Sequence, residues 1–151
     1  MKAACALSIL MFCCATAAAQ TALSTAALDA GQLELLRLAA RAPSGHNTQP
    51  WRITVRDGKW ILSLREQALL PAVDINRREA VLSAGAFLES LRLAAGAKGL
   101  RLQVRVPAQN NLQPELAELN FSSCAPTGFD VSELRLRRTL RKNFKDSCRL
   151  S

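Results

Sequence analysis

The stretch APSGHNTQPW, residues 42–51, decides the fold of this chain. Pro43 disfavours helical geometry at Ala42, so a preceding helix should stop there. Small and amide residues follow, and Pro50-Trp51 leads into a strand. Such a loop can bring main chain close to a flat polar ligand, because Gly45 allows close approach. The alternative is an ordinary helix-to-strand connection whose polar residues satisfy its own backbone.

Regular elements are predicted on both sides of this loop. A helix over 29–42 begins with a capping pair, Asp29 and Gln32. After the loop, apolar and polar residues alternate in two runs. The dipeptide Asp57-Gly58 lies between the runs and is a strong two-residue turn signal, so residues 51–64 are predicted to form a hairpin.

The second half of the chain continues with alternating helices and strands. The patterns predict a long helix over 77–98, a strand over 102–106, a short strand over 117–121 and a short basic helix over 134–140. Gly99 suits the left-handed position after the long helix. The core candidates of that helix are Leu82, Phe87, Leu88, Leu91 and Ala95. Helices interleaved with mostly antiparallel strands predict an α+β layered fold.

The first nineteen residues have the pattern of an export signal. Lys2 precedes an apolar run over 3–15 that is too short to span a bilayer, and Ala17-Ala18-Ala19 before Gln20 is a small-residue cleavage site. Residues 1–19 are therefore predicted to be a signal peptide, followed by a flexible lead-in over 20–28. The mature protein should be periplasmic or secreted, without stable membrane insertion. An ordinary buried helix is the alternative.

Composition narrows the chemistry further. A chain of 151 residues fits one domain or part of a larger one. After export only Cys124 and Cys148 remain, as one disulfide or as two free thiols. His46 is the single histidine, so neither a zinc site nor a Ser/His triad has support. The formal net charge of +8 favours anionic ligands.

Basic residues are concentrated near the C-terminus. They are Arg135, Arg137, Arg138, Arg141, Lys142 and Lys145. On a helix, Arg137, Arg138 and Arg141 would share a face and could bind an anion such as phosphate. A solvated basic helix end is the alternative. Nucleic acid is not an expected partner, because no aromatic stacking platform accompanies the arginines.

Three segments resemble the nitroreductase superfamily of FMN oxidoreductases. The run over 36–55 is similar to a stretch carrying the family motif APSGxNxQPW, and residues 77–95 resemble the next family helix. Residues 137–144 resemble the family segment RRSxRxF. The resemblance covers roughly residues 30–145. It is closest to a branch of longer bacterial chains built from two nitroreductase-like halves.

This resemblance implies a cofactor and specific site residues. The cofactor is FMN. The positions that match its ligands are Pro43, Ser44, Gly45 and Asn47 at the flavin, and Arg137, Thr139 and Arg141 at the phosphate and ribityl groups. Gln49 and Trp51 are expected to hold the loop. No side chain is implied to be catalytic, and His46 is expected to be exposed or bonded to backbone.

The resemblance also implies an activity. Electrons would pass from NAD(P)H through flavin to a small nitro-aromatic or quinone-like acceptor. The RRSxRxF-like segment opens the second half in the two-half branch, and this chain ends soon after it. Residues 29–145 are therefore expected to be a truncated nitroreductase-like domain with a tail over 146–151, completed by a homodimer or by a missing second half. Two alternatives are a truncated non-catalytic fragment, either flavin-binding or ligand-free, and a secreted basic anion-binding module.

Overall fold

The computed structural model describes residues 28–56 and 58–140. Three helices and four strands follow one another in the order α1 (Ala30–Ala39), β1 (Trp51–Arg56), β2 (Lys59–Leu64), α2 (Arg78–Ala97), β3 (Leu100–Arg105), β4 (Glu115–Ser123) and α3 (Ser132–Leu136). This arrangement confirms the predicted α+β class. The predicted signal peptide and the tail lie outside the described residues.

Helix α1 begins as its sequence predicts. The Asp29 carboxylate accepts a hydrogen bond from the Gln32 backbone N–H at 2.7 Å, and the Gln32 side chain accepts one from the Asp29 N–H at 3.0 Å. Each partner satisfies a donor that the first helical turn leaves open. The helix ends at Ala39, three residues before the predicted end, because Arg41 and Ala42 form tighter i→i+3 bonds to Leu38 and Ala39.

The four strands form one antiparallel sheet in the order β1-β2-β4-β3. Arg56 pairs with Lys59, so the hairpin turn has the predicted two residues, and Gly58 has a φ of 74°. Strand β4 is longer than the short strand predicted there. The outer strands β1 and β3 carry the exposed side chains of Arg52 and Arg101.

Helix α2 and one face of the sheet enclose the core. Phe87 and Leu91 are buried, and the Phe87 ring stacks on Trp51 with centroids 5.1 Å apart. Ala95 is also buried and Leu88 packs at the edge of the core. The prediction for Leu82 is wrong, since this side chain is 57% exposed.

Helix α2 is capped from an unexpected position. Its first residue is preceded by Arg77 in the left-handed conformation, with no capping side chain. Instead, Asp74 accepts hydrogen bonds from the backbone N–H groups of Glu79 (3.1 Å) and Ala80 (2.9 Å). The carboxylate thus replaces a normal N-cap from outside the helix.

Removal of this cap should weaken the domain. We expect Asp74→Ala to lower the free energy of unfolding by roughly 1–2 kcal/mol, as for other N-caps. Asp74→Asn should cost about half as much, because one acceptor oxygen is kept. Urea titrations followed by circular dichroism measure both values. Equal costs for the two variants would contradict this capping role.

Helix α3 is shorter than predicted and begins earlier. It ends at Leu136, and Arg137 has extended backbone angles (φ −52°, ψ 131°). Arg137 and Arg138 therefore do not continue a helix, and the expectation that these two residues share a helical face is wrong. Arg141 itself lies outside the described residues.

One helix among the described residues, α2, is long and apolar enough to cross a membrane by length and composition alone. Half of its most apolar stretch is buried inside the domain. The helix contacts α1, β3 and the hairpin, as the core helix of a globular domain does.

Candidate functional site

The loop over 42–51 is fixed at both ends and exposed in the middle. Ala42 is 3% exposed and Pro50 is among the fully buried residues. The Pro50 carbonyl accepts a hydrogen bond from the Arg65 N–H at 2.7 Å, and Trp51 is held by its stack on Phe87. The expectation that Trp51 holds the loop agrees with this contact. The same expectation for the Gln49 side chain is wrong, since this side chain is exposed and makes no hydrogen bond among the described residues. The tip of the loop is thereby presented to solvent on a rigid base.

The tip has unusual backbone geometry. Within five residues, His46, Asn47 and Gln49 have positive φ angles of 49°, 58° and 49°. The left-handed conformation costs about 1–2 kcal/mol for a residue with a Cβ, and less for asparagine. Such conformations persist only where the surroundings impose them, and they concentrate at binding sites.

Serine side chains impose this conformation. The Ser44 hydroxyl accepts a hydrogen bond from the Gln49 N–H at 3.0 Å, and the Ser44 carbonyl accepts one from the Asn47 N–H at 3.0 Å. The Gly45 N–H donates to the hydroxyl of Ser83 on α2 at 3.3 Å. Ser44 therefore closes the loop from within, and Ser83 attaches it to the core helix. Ser83 was missed by the sequence analysis, although a serine within an apolar helix was a visible signal.

The polar side chains at the tip are not used by the fold. Among the described residues, no hydrogen bond is made by the side chains of His46, Asn47 or Gln49, and all three are exposed. An amide offers both donors and an acceptor, as the pyrimidine edge of a flavin requires. Pro43 is also exposed. Asn47 and Pro43 are thus accessible from solvent, and His46 is exposed as expected.

Gly45 faces the protein rather than the solvent. Its φ is not positive, and a Cβ built there would lie 3.7 Å from the Cβ of Glu79, which is ordinary contact. The packing of the described residues therefore does not by itself require glycine at this position.

The second predicted segment meets the start of the loop. The Arg137 guanidinium donates through Nε to the Arg41 carbonyl and through Nη1 to the Thr139 hydroxyl at 3.2 Å. Arg41 lies two residues before Pro43, so the two motif segments converge at the C-terminal end of α1. Arg137 and Thr139 contact each other, and Arg41 connects them to the loop. The role of the Arg41 carbonyl gave no signal in the sequence.

An apolar cavity of about 230 Å³ lies between α2 and the sheet. Its walls include Leu62, Val81, Leu88, Val106 and Leu116, with Gln109, Asn110 and Asn111 alongside. No predicted flavin-contacting residue lines it. The described residues therefore present the loop as an open surface, and they do not enclose a planar ligand there.

No protein-family model matches the chain. Two of the proteins that match it in sequence come from Mycobacterium tuberculosis. "Putative NAD(P)H nitroreductase acg" is 39% identical over 102 residues, which are 68% of this chain and 30% of that protein. A second "Putative NAD(P)H nitroreductase" is 33% identical over 113 residues, which are 73% of this chain and 33% of that protein. The chain thus spans about a third of the length of these relatives.

A structural comparison gives a weaker likeness. A crystal structure of a "Putative NADH Oxidase" from Clostridium acetobutylicum superposes with a TM-score of 0.49 and 16% identity, over 77% of this chain and 90% of that one. This likeness is too weak to carry an inference about the chain. The sequence matches cover most of the described domain, and through them the chain belongs to the nitroreductase-like superfamily.

Proposed function

We propose that this chain supplies one wall of an FMN site in a nitroreductase-type oxidoreductase. NAD(P)H would be the electron donor, and a small nitro-aromatic or quinone-like compound the acceptor. When bound, FMN supplies the redox chemistry, and the protein positions it and tunes it. The names of the two M. tuberculosis relatives support the donor and the reaction class.

One observation carries this proposal: the loop tip combines costly backbone geometry with unused amides. Three left-handed residues within five positions have no role in packing, since all three side chains are exposed. The Asn47 amide is free to bond the pyrimidine edge of the flavin. Exposed Pro43 offers an apolar surface for the ring. The loop therefore fits the edge and one face of the cofactor.

The phosphate end of the cofactor fits the second segment. Arg137 and Thr139 already lie together at the end of α1, and both groups bind phosphate oxygens readily. Arg141 is the third implied ligand, from outside the described residues. Neither of the two described cavities is lined by Pro43, Ser44, Gly45 or Asn47. A second copy of the chain or the additional sequence of the longer relatives would therefore supply the opposite wall.

The test is to measure FMN binding by loop variants of the full chain, with quenching of flavin fluorescence as the readout. Asn47→Gly removes the amide but tolerates the positive φ, so it separates ligand contact from strain. We expect Asn47→Gly to weaken FMN binding by about tenfold, which is the loss of one hydrogen bond in a desolvated site. Asn120→Ala is the control, because Asn120 is an exposed amide on β4. It should bind FMN as the wild type does.

Two outcomes decide between this function and its alternative. Absence of flavin quenching at any protein concentration would refute the FMN site. FMN binding without NAD(P)H-dependent reduction of a nitrofuran would instead identify a non-catalytic flavin-binding fragment. That alternative is tested separately, because the chain spans only about a third of the length of these relatives.

A further inference from the structure

A second concave surface, which we name the arginine pocket, lies beside α1 and is separate from the loop tip. It is formed by Glu34, Arg37, Leu38, Arg41 and Arg135 and has a volume of about 430 Å³. Leu38 is 3% exposed and forms an apolar floor. Arg37 and Arg41 come from the last turn of α1 and the residues after it, and Arg135 reaches in from α3.

Most of the arginine donors in this pocket are unused. Arg37 makes no hydrogen bond or ion pair within the part of the chain that the structure describes. Arg41 donates one bond, from Nη2 to the Arg135 carbonyl at 3.1 Å. Arg135 donates from Nη2 to Glu34 at 3.0 Å. Since each guanidinium has five N–H donors in a fixed fork, most of the donors remain available to a ligand.

The single carboxylate in the pocket is already matched. Glu34 accepts Lys98 Nζ on one oxygen at 2.5 Å and Arg135 on the other. Lys98, and then Arg135, lower the pKa of this carboxyl, so it stays ionised at neutral pH. Glu34 thus pairs with two cations, and Arg37 and Arg41 leave the pocket with an excess of positive charge that its described lining residues do not neutralise.

The positions of the arginines are not explained by helix stability alone. A cation near the C-terminal end of a helix is favoured by the helix dipole, which accounts for one arginine on α1. Arg37 lies in the last turn of α1 and Arg41 lies just beyond its end, and both line the same pocket, where their like charges repel. Arg135 adds a third guanidinium from another helix. A bound anion would offset this repulsion.

We propose that the arginine pocket binds the phosphate group of a small soluble phosphate monoester. The planar guanidinium fork matches two phosphate oxygens at once, and three forks around a concave surface suit a dianion. A concave surface of about 430 Å³ accommodates a phosphate group with a small substituent. The pocket adjoins the proposed flavin-phosphate segment, because Arg137 bonds the carbonyl of Arg41. Its lining nevertheless differs, since neither Arg137 nor Thr139 lines the pocket.

The experiment is calorimetric titration of the full chain with inorganic phosphate at low, constant ionic strength. We expect saturable binding by the wild type. The affinity for phosphate should fall at least about tenfold in Arg37→Ala/Arg41→Ala, because charge-assisted hydrogen bonds are stronger than neutral ones. The control is Arg52→Ala/Arg101→Ala, which removes the same charge from the two outer strands. It should change affinity less than about twofold, as expected for distant screened charges.

A conservative variant separates fork geometry from charge. Arg37→Lys keeps the charge at a side chain with no partner in the described part of the protein, so the fold is not perturbed. We expect it to weaken phosphate binding about threefold, since the bidentate contact is lost. Equal weakening in both double variants would show a net-charge effect and overturn the proposal, as would the absence of saturable binding by the wild type.

Two further measurements distinguish a soluble phosphate from a lipid phosphate, and the arginine pocket from the proposed flavin site. The first measures binding to phosphatidylglycerol vesicles. If this binding depends on Arg37 and Arg41 and is not reduced by inorganic phosphate, the ligand is a membrane lipid and the proposal of a soluble ligand is overturned. The Asn47→Gly variant should bind inorganic phosphate normally. If FMN binding fails but phosphate binding persists, only the flavin proposal is refuted.

Discussion

Phe87→Ala should lower the free energy of unfolding by about 3–5 kcal/mol, the usual cost of removing a buried ring. Phe87 is 2% exposed and stacks on Trp51 at 5.1 Å. The variant loses the transfer free energy of the ring and leaves a cavity between α2 and the hairpin. Because Trp51 begins β1 directly after the loop, the cavity also removes support from the base of the loop. Urea unfolding, followed by tryptophan fluorescence and by circular dichroism, measures the loss.

The matched control is Leu82→Ala on the same helix. Leu82 is 57% exposed, so its truncation should change the free energy of unfolding by no more than about 0.5 kcal/mol. Both substitutions replace an apolar side chain with alanine within α2, so helix propensity contributes little to the difference. Similar losses for the two variants would contradict the described packing of this helix.

Gly99→Ala should also be strongly destabilising and lower the free energy of unfolding by about 2–3 kcal/mol. Gly99 has a φ of 73°, which costs a residue with a Cβ about 1–2 kcal/mol. In addition, a Cβ there would lie 3.0 Å from the backbone carbonyl oxygen of Cys124, which cannot move without disturbing the end of β4. The steric conflict adds to the conformational cost.

Gly58→Ala isolates the conformational part of this loss. Gly58 has nearly the same φ, 74°, and nothing lies within 4 Å of a Cβ built there. We expect Gly58→Ala to cost only about 1–2 kcal/mol. Thermal unfolding of the two variants gives the difference directly. If Gly58→Ala costs as much as Gly99→Ala, the close contact with Cys124 is not responsible.

Local sequence signals predicted most of the fold because each acts over a few residues. The pair Asp29 and Gln32 began α1, Asp57-Gly58 set a two-residue turn, and Gly99 ended α2. The predictions were wrong where contacts between residues distant in sequence determine which side chains are buried. Periodicity could not show that Leu82 lies on the open side of α2, because this helix is apolar on most of its surface.

For the candidate site too, local features could be predicted from the sequence and features that depend on distant contacts could not. The loop sequence indicated which residues would form the tip. It could not indicate that His46 and Gln49 take left-handed angles, because Ser44 and the attachment to Ser83 impose these conformations through the folded structure. The arginine pocket was also out of reach: it joins residues of α1 to Arg135, about a hundred positions away. Basic residues were visible in the sequence, but their convergence is a property of the fold.

The order of the strands limits how this domain can associate. Arg52 and Arg101 occupy the two rims of the sheet, and each would have to lose hydration if another strand added alongside. Such charged borders oppose edge-to-edge aggregation. An assembly that completes the proposed cofactor site is therefore expected to form through helical surfaces rather than through the edges of the four described strands.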